Sequence, residues 1–278
     1  MTTNIEKVTI GGATLYCGDC LDVLPKLKVK ADAIITDPPF GITNCDWDKV
    51  PSLDHFWKVI DRKTKQTANF VLFGCGKFSV DLVNSKYCWF RYDLIWAKNN
   101  KVGFLNANLM PMRNHEHILV FGRPGFQKAA TYNPQKTPGG KASIKIVNRK
   151  SGVYKTKGNH TSISDGTLHP CSVLLFNSDK NKNHGLHPTL KPLALMEFLV
   201  KSYTNAGDIV IDPFAGSGTT GVAAIQMGRT FIGIEKKKQY FDIACQRIEQ
   251  AYAEYRNHCP GNKGKKRTEK LFDEKETA

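Results

Sequence analysis

Short apolar runs alternate with longer amphipathic stretches through most of this chain, and this alternation constrains the fold more than any other feature. The pattern is typical of a mostly parallel β-sheet flanked by helices. Apolar runs predict strands at residues 14–19, 33–37, 68–74, 91–98, 117–122, 208–212 and 230–235. Amphipathic stretches predict helices at residues 51–62, 78–84, 192–203, 219–227 and 239–255. A chain of 278 residues can bury such a core in one large domain that carries a smaller insertion.

The apolar rhythm fades between residues 128 and 185, where Gly, Pro, Asn, Ser and Lys dominate. This stretch contains ten Lys and Arg residues against two acidic residues, Asp165 and Asp179. Long irregular segments inside compact domains are usually functional or disordered. Two interpretations therefore stay open, a solvated insertion or a module that faces nucleic acid with its cations on phosphates. The candidate phosphate contacts are Lys136, Lys141, Lys145, Arg149, Lys150, Lys155 and Lys157.

The charge balance also favours a polyanionic partner. Forty Lys and Arg residues against twenty-five Asp and Glu residues give a net charge of +15 at pH 7. Such a field attracts nucleic acid, although a basic surface also serves solubility or binding to anionic membranes. The chain shows neither a secretory signal nor an apolar run long enough to cross a bilayer, so a cytoplasmic protein is expected. Its eight cysteines are scattered, which predicts reduced thiols. Cys17 and Cys20 have C-x-x-C spacing, but the candidates for a second pair of ligands, His169, Cys171, His184 and His187, lack regular spacing, so no metal site is expected.

A glycine-rich turn follows the predicted strand that ends at Asp212. The segment DPFAGSGTT joins this strand to a helix, so its glycines let the backbone approach a ligand while free N–H groups at the helix start face it. A plain turn capped by Ser217 or Thr219 is the alternative. The next strand ends in Glu235, which is placed to accept hydrogen bonds from ribose hydroxyls. The dinucleotide fingerprint G-x-G-x-x-G is absent, which favours an adenosyl ligand without a pyrophosphate.

A second turn, Thr36-Asp37-Pro38-Pro39-Phe40-Gly41, follows another apolar strand. Its two prolines fix the backbone and donate no N–H, which leaves carbonyl groups beside one carboxylate and one aromatic ring. Asp37 and the Pro38 carbonyl could accept both protons of a planar amine, while Phe40 stacks on the ring that carries it. Alternatively, Asp37 caps the turn and Phe40 fills the core. If the strands ending in Asp37 and Asp212 are adjacent where the strand order reverses, a methyl donor and an amine meet there.

The two turns in this order, with HPTLKP shortly before the second, closely resemble the amino-methyltransferases of DNA in the permuted β class. The resemblance extends from Gly18 to about Arg247. The segments TDPPFGITNCDWD and GFLNANLMPMRNHEHILVF also resemble phage-borne members. The resemblance implies a doubly wound Rossmann-like fold with one antiparallel strand, and S-adenosylmethionine as the methyl donor. It further implies a catalytic domain at residues 1–127 and 186–256, a target-recognition insert at 128–185 and a basic tail at 257–278.

Site residues follow from the same resemblance, position by position. Asp37, Pro38, Pro39 and Phe40 match the catalytic motif, although Tyr is commoner than Phe at the fourth position. Stacking survives that difference. The positions that match cofactor-binding residues are Asp19, His187, Thr189, Lys191, Asp212, Phe214, Gly216, Ser217, Gly218, Thr219 and Glu235. Trp47 and Asp48 are candidates for ordering the proline turn, and residues 113–116 either touch DNA or brace the site.

The function that the resemblance implies is methyl transfer to the N6 amine of adenine in double-stranded DNA, with the base flipped out of the stack. Asp37 favours adenine, because cytosine-N4 enzymes more often carry Ser at that position. The alternatives are cytosine-N4 transfer, a catalytically silent DNA-binding relative, and methylation of RNA or protein. A homodimer is a further expectation from the β class.

Overall fold

The computed structural model describes residues 5–43, 45–46, 48–149, 158–177 and 190–258. Within these ranges, one compact unit comprises the residues up to Asn133 and from Ser172 onward, and a second unit comprises Pro134–Cys171. None of the helices in the described ranges is long and apolar enough to span a membrane.

The larger unit alternates strands and helices as the sequence predicted. Its strands are β1 Glu6–Ile10, β2 Ala13–Cys17, β3 Ala31–Thr36, β4 Thr64–Gly74, β5 Phe90–Val102, β6 Arg113–Phe121, β9 Val173–Leu175, β10 Ile209–Asp212 and β11 Thr230–Glu235. Its helices are α1 Cys20–Val23, α2 Leu53–Arg62, α3 Lys77–Ser85, α4 Leu193–Tyr203, α5 Thr219–Gln226 and α6 Lys238–His258. Single 3₁₀ turns lie at Leu24–Lys26, Tyr87–Trp89 and Phe104–Asn106.

The nine strands form one sheet in the order β1-β2-β11-β10-β3-β4-β6-β5-β9. The five strands from β2 to β4 in this order pair in parallel. From β3 the chain passes through α2 to β4, which neighbours β3 on the side away from β10. From β10 it passes through α5 to β11, which neighbours β10 on the side away from β3. The strand order therefore reverses between β3 and β10, which confirms the doubly wound fold and makes this the place where ligands bind in such sheets.

Two strands of this sheet, β1 and β6, run antiparallel to their neighbours. The expectation of one antiparallel strand was therefore wrong. The additional strand, β1, carries exposed polar residues at alternating positions and only a short apolar face. An edge strand of this kind has no continuous apolar run for a sequence pattern to detect.

The core lies in two layers, one on each face of the sheet. Alternation along β3 illustrates this, because Ile34 packs into one layer and Ile35 into the other. The layer with Ile35 contains α4, α5 and α6, and the layer with Ile34 contains α1, α2 and α3. Burial on both faces explains why the central strands are continuous apolar runs.

The second unit is a two-stranded antiparallel sheet of β7, Thr137–Arg149, and β8, Gly158–Leu168. The sequence predicted no strand here, because the hairpin has little apolar side-chain pattern. Ile144 and Ile163 lie directly opposite each other and are 74% and 75% exposed. An isolated two-stranded hairpin is marginally stable in water, so this unit gains little stability from a core of its own.

Candidate active site

Four parallel strands end side by side at one edge of the sheet, and each has predicted site residues at or just beyond its last residue. From one side to the other the strands are β2, β11, β10 and β3. A direct hydrogen bond joins the two predicted turns, because the Thr36 hydroxyl donates to Asp212 Oδ1 at 2.6 Å. Asp37 and the glycine-rich turn therefore lie next to each other at the reversal of strand order, as the sequence analysis required.

Asp212 is the central support of the glycine-rich turn. Its Oδ1 also accepts a hydrogen bond from Phe214 N at 3.1 Å, and its Oδ2 accepts one from the Thr220 hydroxyl at 2.6 Å. The side chain is only 2% exposed. Burial raises the pKa of Asp212 to about 6, although the hydrogen bonds from Thr220 and Thr36 oppose this rise. Both carboxylate oxygens are thus engaged in holding the turn.

Arg247 on α6 fixes the other end of this turn. Its Nη1 donates to the Ser217 carbonyl at 2.6 Å, and to the hydroxyls of Ser217 and Thr219 at 3.0 Å each. Gly218 adopts a φ of +79°, and a Cβ there would lie 2.9 Å from the Ala244 Cβ. Only glycine therefore lets the turn pack this closely on α6.

The carboxylate of Glu235, at the end of β11, lies beside the turn. Its Oε2 accepts a hydrogen bond from Gly216 N at 2.9 Å, and its Oε1 accepts one from Lys237 N at 2.7 Å. Burial raises the pKa of Glu235, and these backbone hydrogen bonds oppose the rise. The Glu235 carbonyl accepts from Gly18 N at 2.9 Å, which places Asp19 at the neighbouring strand end.

These residues fit a nucleoside ligand with an amino-acid tail. The strand ends from Asp19 to Asp37 span three strand spacings, or roughly 14 Å. Each oxygen of Glu235 makes one backbone hydrogen bond and has a second lone pair for a ribose hydroxyl. Phe214 is half-buried beside this row, and its ring lies 5.7 Å from the ring of Phe56. The N-terminal amides of α5, which have no intrahelical partner, begin at the same edge.

The proline turn is held by Asp48, as the sequence analysis considered. Its Oδ1 accepts hydrogen bonds from the backbone N–H of Phe40 and Gly41 at 2.7 and 2.8 Å. Its Oδ2 accepts from the backbone N–H of Ile42 and Thr43, and from the Thr43 hydroxyl. Burial alone raises the pKa of Asp48, but these hydrogen bonds outweigh burial and lower it. One carboxylate therefore fixes four successive backbone amides. Trp47 lies outside the described residues.

Phe40 presents an aromatic ring at the site. The ring is half-buried, and its centroid lies 5.3 Å from that of Phe78. Pro38 is buried and Pro39 is half-buried. Phe40 is predicted to stack on a planar base, and its ring is neither enclosed by the core nor fully exposed.

Asp37 stands at the end of a chain of alternating charges. Its Oδ2 forms an ion pair with the amine of Lys191, and Lys191 Nζ lies 3.5 Å from Glu116 Oε2. The other oxygen of Glu116 pairs with Lys98. Asp37 Oδ1 is buried and, within the described residues, has no hydrogen-bond partner. Lys191 was predicted to contact the cofactor, and residues 113–116 either to touch DNA or to brace the site; an ion pair of Lys191 with Asp37 was not predicted.

Several predicted residues cannot be placed. His187, Thr189, Lys150, Lys155 and Lys157 lie outside the described residues. Lys136 and Lys141 are exposed on or beside β7, and Lys136 pairs with Asp165 at 3.1 Å.

Lys145 and Arg149 belong to β7, and only their backbone is described. Arg247, Lys98, Thr36 and Thr220 were missed by sequence analysis. The contacts of Arg247, Lys98 and Thr36 join separate elements of the fold, so no local pattern signals them, whereas Thr220 contacts Asp212 within the glycine-rich turn itself.

The chain matches known proteins over most of its length. The DNA methylase family model N6_N4_Mtase matches residues 31–246. DNA adenine methyltransferase YhdJ of Escherichia coli strain K12 is 28% identical, covering 90% of this chain and 88% of the relative. Type II methyltransferase M1.MboII of Moraxella bovis is also 28% identical, covering 81% of this chain and 92% of the relative.

Solved structures show the same fold. The complex of M1.HpyAVI with SAM is 27% identical, with a TM-score of 0.57, and the match covers 84% of this chain and 99% of that one. The cytosine-N4-specific PvuII DNA methyltransferase has a TM-score of 0.63 at 18% identity, and the match covers 92% of this chain and 96% of that one. The second likeness supports the fold alone. Since the family model spans both turns and the strands between them, the chain belongs to the DNA methylase family and is an S-adenosylmethionine-dependent DNA methyltransferase.

Proposed function

We propose that this enzyme methylates the N6 amine of adenine in double-stranded DNA, after flipping the target nucleotide into the crevice between β3 and β10. The observation that carries the proposal is the buried Oδ1 of Asp37, which has no hydrogen-bond partner among the described residues. A buried carboxylate oxygen without a donor costs free energy unless a ligand supplies one. An exocyclic amine supplies such a donor.

The chemistry requires little besides positioning. Bound S-adenosylmethionine supplies an electrophilic methyl group on a sulfonium sulfur. Asp37 Oδ1 accepts a hydrogen bond from one amine N–H, and the Pro38 carbonyl accepts the other, which directs the nitrogen lone pair toward the donor. Phe40 stacks on the base. As the new C–N bond forms, the C–S bond of the donor would break with its electron pair kept on the departing thioether sulfur. The amine becomes cationic, the carboxylate at position 37, already oriented by the protein, stabilises that charge, and the surplus amine proton then passes to water.

Adenine is favoured over cytosine by the carboxylate itself and by relatives. YhdJ is named a DNA adenine methyltransferase, and its match covers 90% of this chain. Cytosine-N4 transfer is the second candidate, since the family model includes both amines. A catalytically silent DNA-binding relative is a third candidate, but the ordered proline turn and its unpartnered oxygen favour an active enzyme.

DNA recognition is assigned to the predicted insert at residues 128–185, which contains the β7–β8 hairpin. A two-stranded ribbon fits the width of a major groove, and Lys136 and Lys141 are exposed for phosphates. The catalytic domain is then residues 1–127 and 186–256, with a basic tail at 257–278. A homodimer completes the proposal, as expected for the β class, and a cytoplasmic location follows from a DNA substrate.

Product analysis and one substitution test this function together. Duplex DNA is incubated with the wild-type chain and tritiated S-adenosylmethionine, then digested and examined by nucleoside mass spectrometry. N6-methyladenine is the expected product. Asp37→Ala is expected to lower transfer by at least about 10³-fold, while donor affinity measured by calorimetry changes less than about threefold, because other strands build the donor site. N4-methylcytosine as the product, or near-normal turnover of Asp37→Ala, would refute the proposal.

A further inference from the structure

Four charged side chains from four different segments meet next to the proline turn. Lys98 lies on β5, Glu116 lies on β6, Lys191 precedes α4, and Asp37 follows β3. The side chains of Lys191, Glu116 and Lys98 are 8%, 13% and 16% exposed. Their charges alternate in sign and sum to zero. A neutral, alternating cluster is the arrangement in which buried charges are least costly, because each group has an opposite charge beside it.

Aromatic rings restrict the central cation of this cluster. Lys191 Nζ lies 4.9 Å from the ring centroid of Phe73 and 5.9 Å from that of Phe40. Both rings can attract the ammonium through their faces. The ammonium of Lys191 pairs with Oδ2 of Asp37 and with Oε2 of Glu116, and Oδ1 of Asp37 has no hydrogen-bond partner within the described residues.

We propose that Lys191, Glu116 and Lys98 form a positioning network that holds Asp37 by one carboxylate oxygen and leaves the other for the target amine. The proposal rests on the proposed function of Asp37. It gives Lys191 a role through Asp37, in contrast to the cofactor contact that the sequence resemblance implies. Neither Lys98 nor Glu116 touches the base in this account, so both are positioning residues.

The charges that face Asp37 predict opposite effects for two substitutions. Burial raises the pKa of Asp37 above its ordinary value; Lys191 and Lys98 oppose this rise, and Glu116 adds to it. Asp212 is the other carboxylate close enough to interact, since Asp37 raises its pKa. Lys191→Met therefore moves the pKa of Asp37 up, because its nearest cation is lost. Glu116→Gln moves it down, because a repelling charge is lost while the side-chain shape is kept. If these residues had only a structural role, the two substitutions would not shift the pKa of Asp37 in opposite directions.

The test measures the titration of Asp37 itself and the rate of transfer. Protein is prepared with aspartate 13C-labelled at the side-chain carboxyl, and the Asp37 resonance is identified by its absence in Asp37→Asn. The Asp37 midpoint is expected to rise in Lys191→Met and to fall in Glu116→Gln, and Lys191→Arg should restore most of the wild-type behaviour. Turnover of Lys191→Met at pH 7 should fall on the order of 10²-fold with donor Kd changed less than about threefold.

The matched control is Lys65→Met, which removes an exposed lysine paired with Asp32 at the opposite end of β3. It should leave the Asp37 midpoint and turnover unchanged. Coincident midpoints in Lys191→Met, Glu116→Gln and the wild type would overturn the network, as would a loss of donor affinity in Lys191→Met that equals its loss of turnover. A wild-type chain that transfers no methyl group would refute the proposed function, whereas coincident midpoints in an active enzyme would refute the network alone.

Discussion

Two aspartates, Asp212 and Asp37, lie at the ends of adjacent strands, and their carboxylates have different kinds of partners. Asp212 binds three neutral donors, the hydroxyls of Thr36 and Thr220 and the backbone N–H of Phe214. Asp37 binds a single cation, and its second oxygen has no partner within the described residues. In the sequence the two residues look alike, because each ends or follows an apolar strand and precedes a proline.

The difference separates a structural carboxylate from one available for chemistry. Asp212 is saturated by residues of its own turn and of the adjoining strand, so it stabilises the loop that the donor contacts. Asp37 is held from outside, by Lys191, which lies 154 positions away in the chain. A group held by distant charges can keep an oxygen free for a substrate, because its local turn does not consume it.

The largest expected effect concerns Asp212 and the way in which the free energy of unfolding depends on pH. Since the folded pKa is raised from 3.8 to about 6, the ionised form is disfavoured in the folded state, and stability falls as pH rises between these values. Asp212→Asn removes this loss; its amide oxygen can still accept from Thr36 and Phe214, although its amide nitrogen cannot accept from the Thr220 hydroxyl. Its free energy of unfolding should therefore rise by about 2–3 kcal/mol relative to that of the wild type between pH 4 and 7. Urea unfolding at each pH measures the difference.

Asp81→Asn, an exposed exchange on α3, is the control for this measurement. Its unfolding free energy should follow that of the wild type across the pH range. Parallel curves of unfolding free energy against pH for the wild type and Asp212→Asn would mean that burial does not raise the pKa of Asp212.

The next largest effect concerns the glycine-rich turn. Arg247→Met removes three hydrogen bonds to Ser217 and Thr219. Donor Kd should rise roughly 30-fold, equivalent to about 2 kcal/mol, because charge-assisted hydrogen bonds of this kind hold the turn. Turnover at saturating donor should change little. Calorimetry with S-adenosylmethionine gives the first quantity, and Arg256→Met, at an exposed position of the same helix, is the control. Unchanged donor affinity would contradict the assignment.

Loosening the proline turn should have the reverse effect, a lower kcat with unchanged donor affinity. Asp48→Ala frees the backbone amides of residues 40–43 and loosens Phe40, so kcat should fall about tenfold with donor Kd unchanged. Asp46→Ala, an exposed exchange in the same loop, should leave kcat as it is. A weakened donor affinity in Asp48→Ala, with kcat intact, would erase the distinction between the two turns.

The smallest effect is expected at the hairpin. Replacing Lys136 and Lys141 with Met should reduce the slope of log Kd for DNA against log salt by about 2, since each phosphate contact contributes about 0.9. Replacing Lys26 and Lys58, exposed lysines of the larger unit, should leave the slope unchanged. Filter binding over a salt series distinguishes the two pairs, and equal slopes would make the hairpin a passive insertion.

Sequence alone predicted the parts of this molecule that are encoded locally. The central strands are buried on both faces, so their apolar runs are unmistakable, and the Asp-Pro turns lie at their ends. The edge strand β1 and the hairpin strands β7 and β8 were missed because exposed strands carry no continuous apolar pattern.

The candidate site also contains residues that were predicted from sequence and contacts that were not. Asp37, Phe40 and Glu235 were found because each lies at, or just beyond, the end of a predicted strand. The ion pair of Lys191 with Asp37, and the contact of Arg247 with the glycine-rich turn, join segments that only the folded chain brings together. Neither follows from a spacing along the sequence.

The most direct measurement compares single-turnover methyl transfer in Asp37→Asn and Asp212→Asn, with donor and duplex DNA both saturating. Asp37→Asn should lose at least about 10³-fold, because an amide replaces the carboxylate that stabilises the developing positive charge, whereas Asp212→Asn should stay within about tenfold of the wild type. Equal losses in the two variants, or the larger loss in Asp212→Asn, would contradict the assignment of Asp37 as the group that receives the amine.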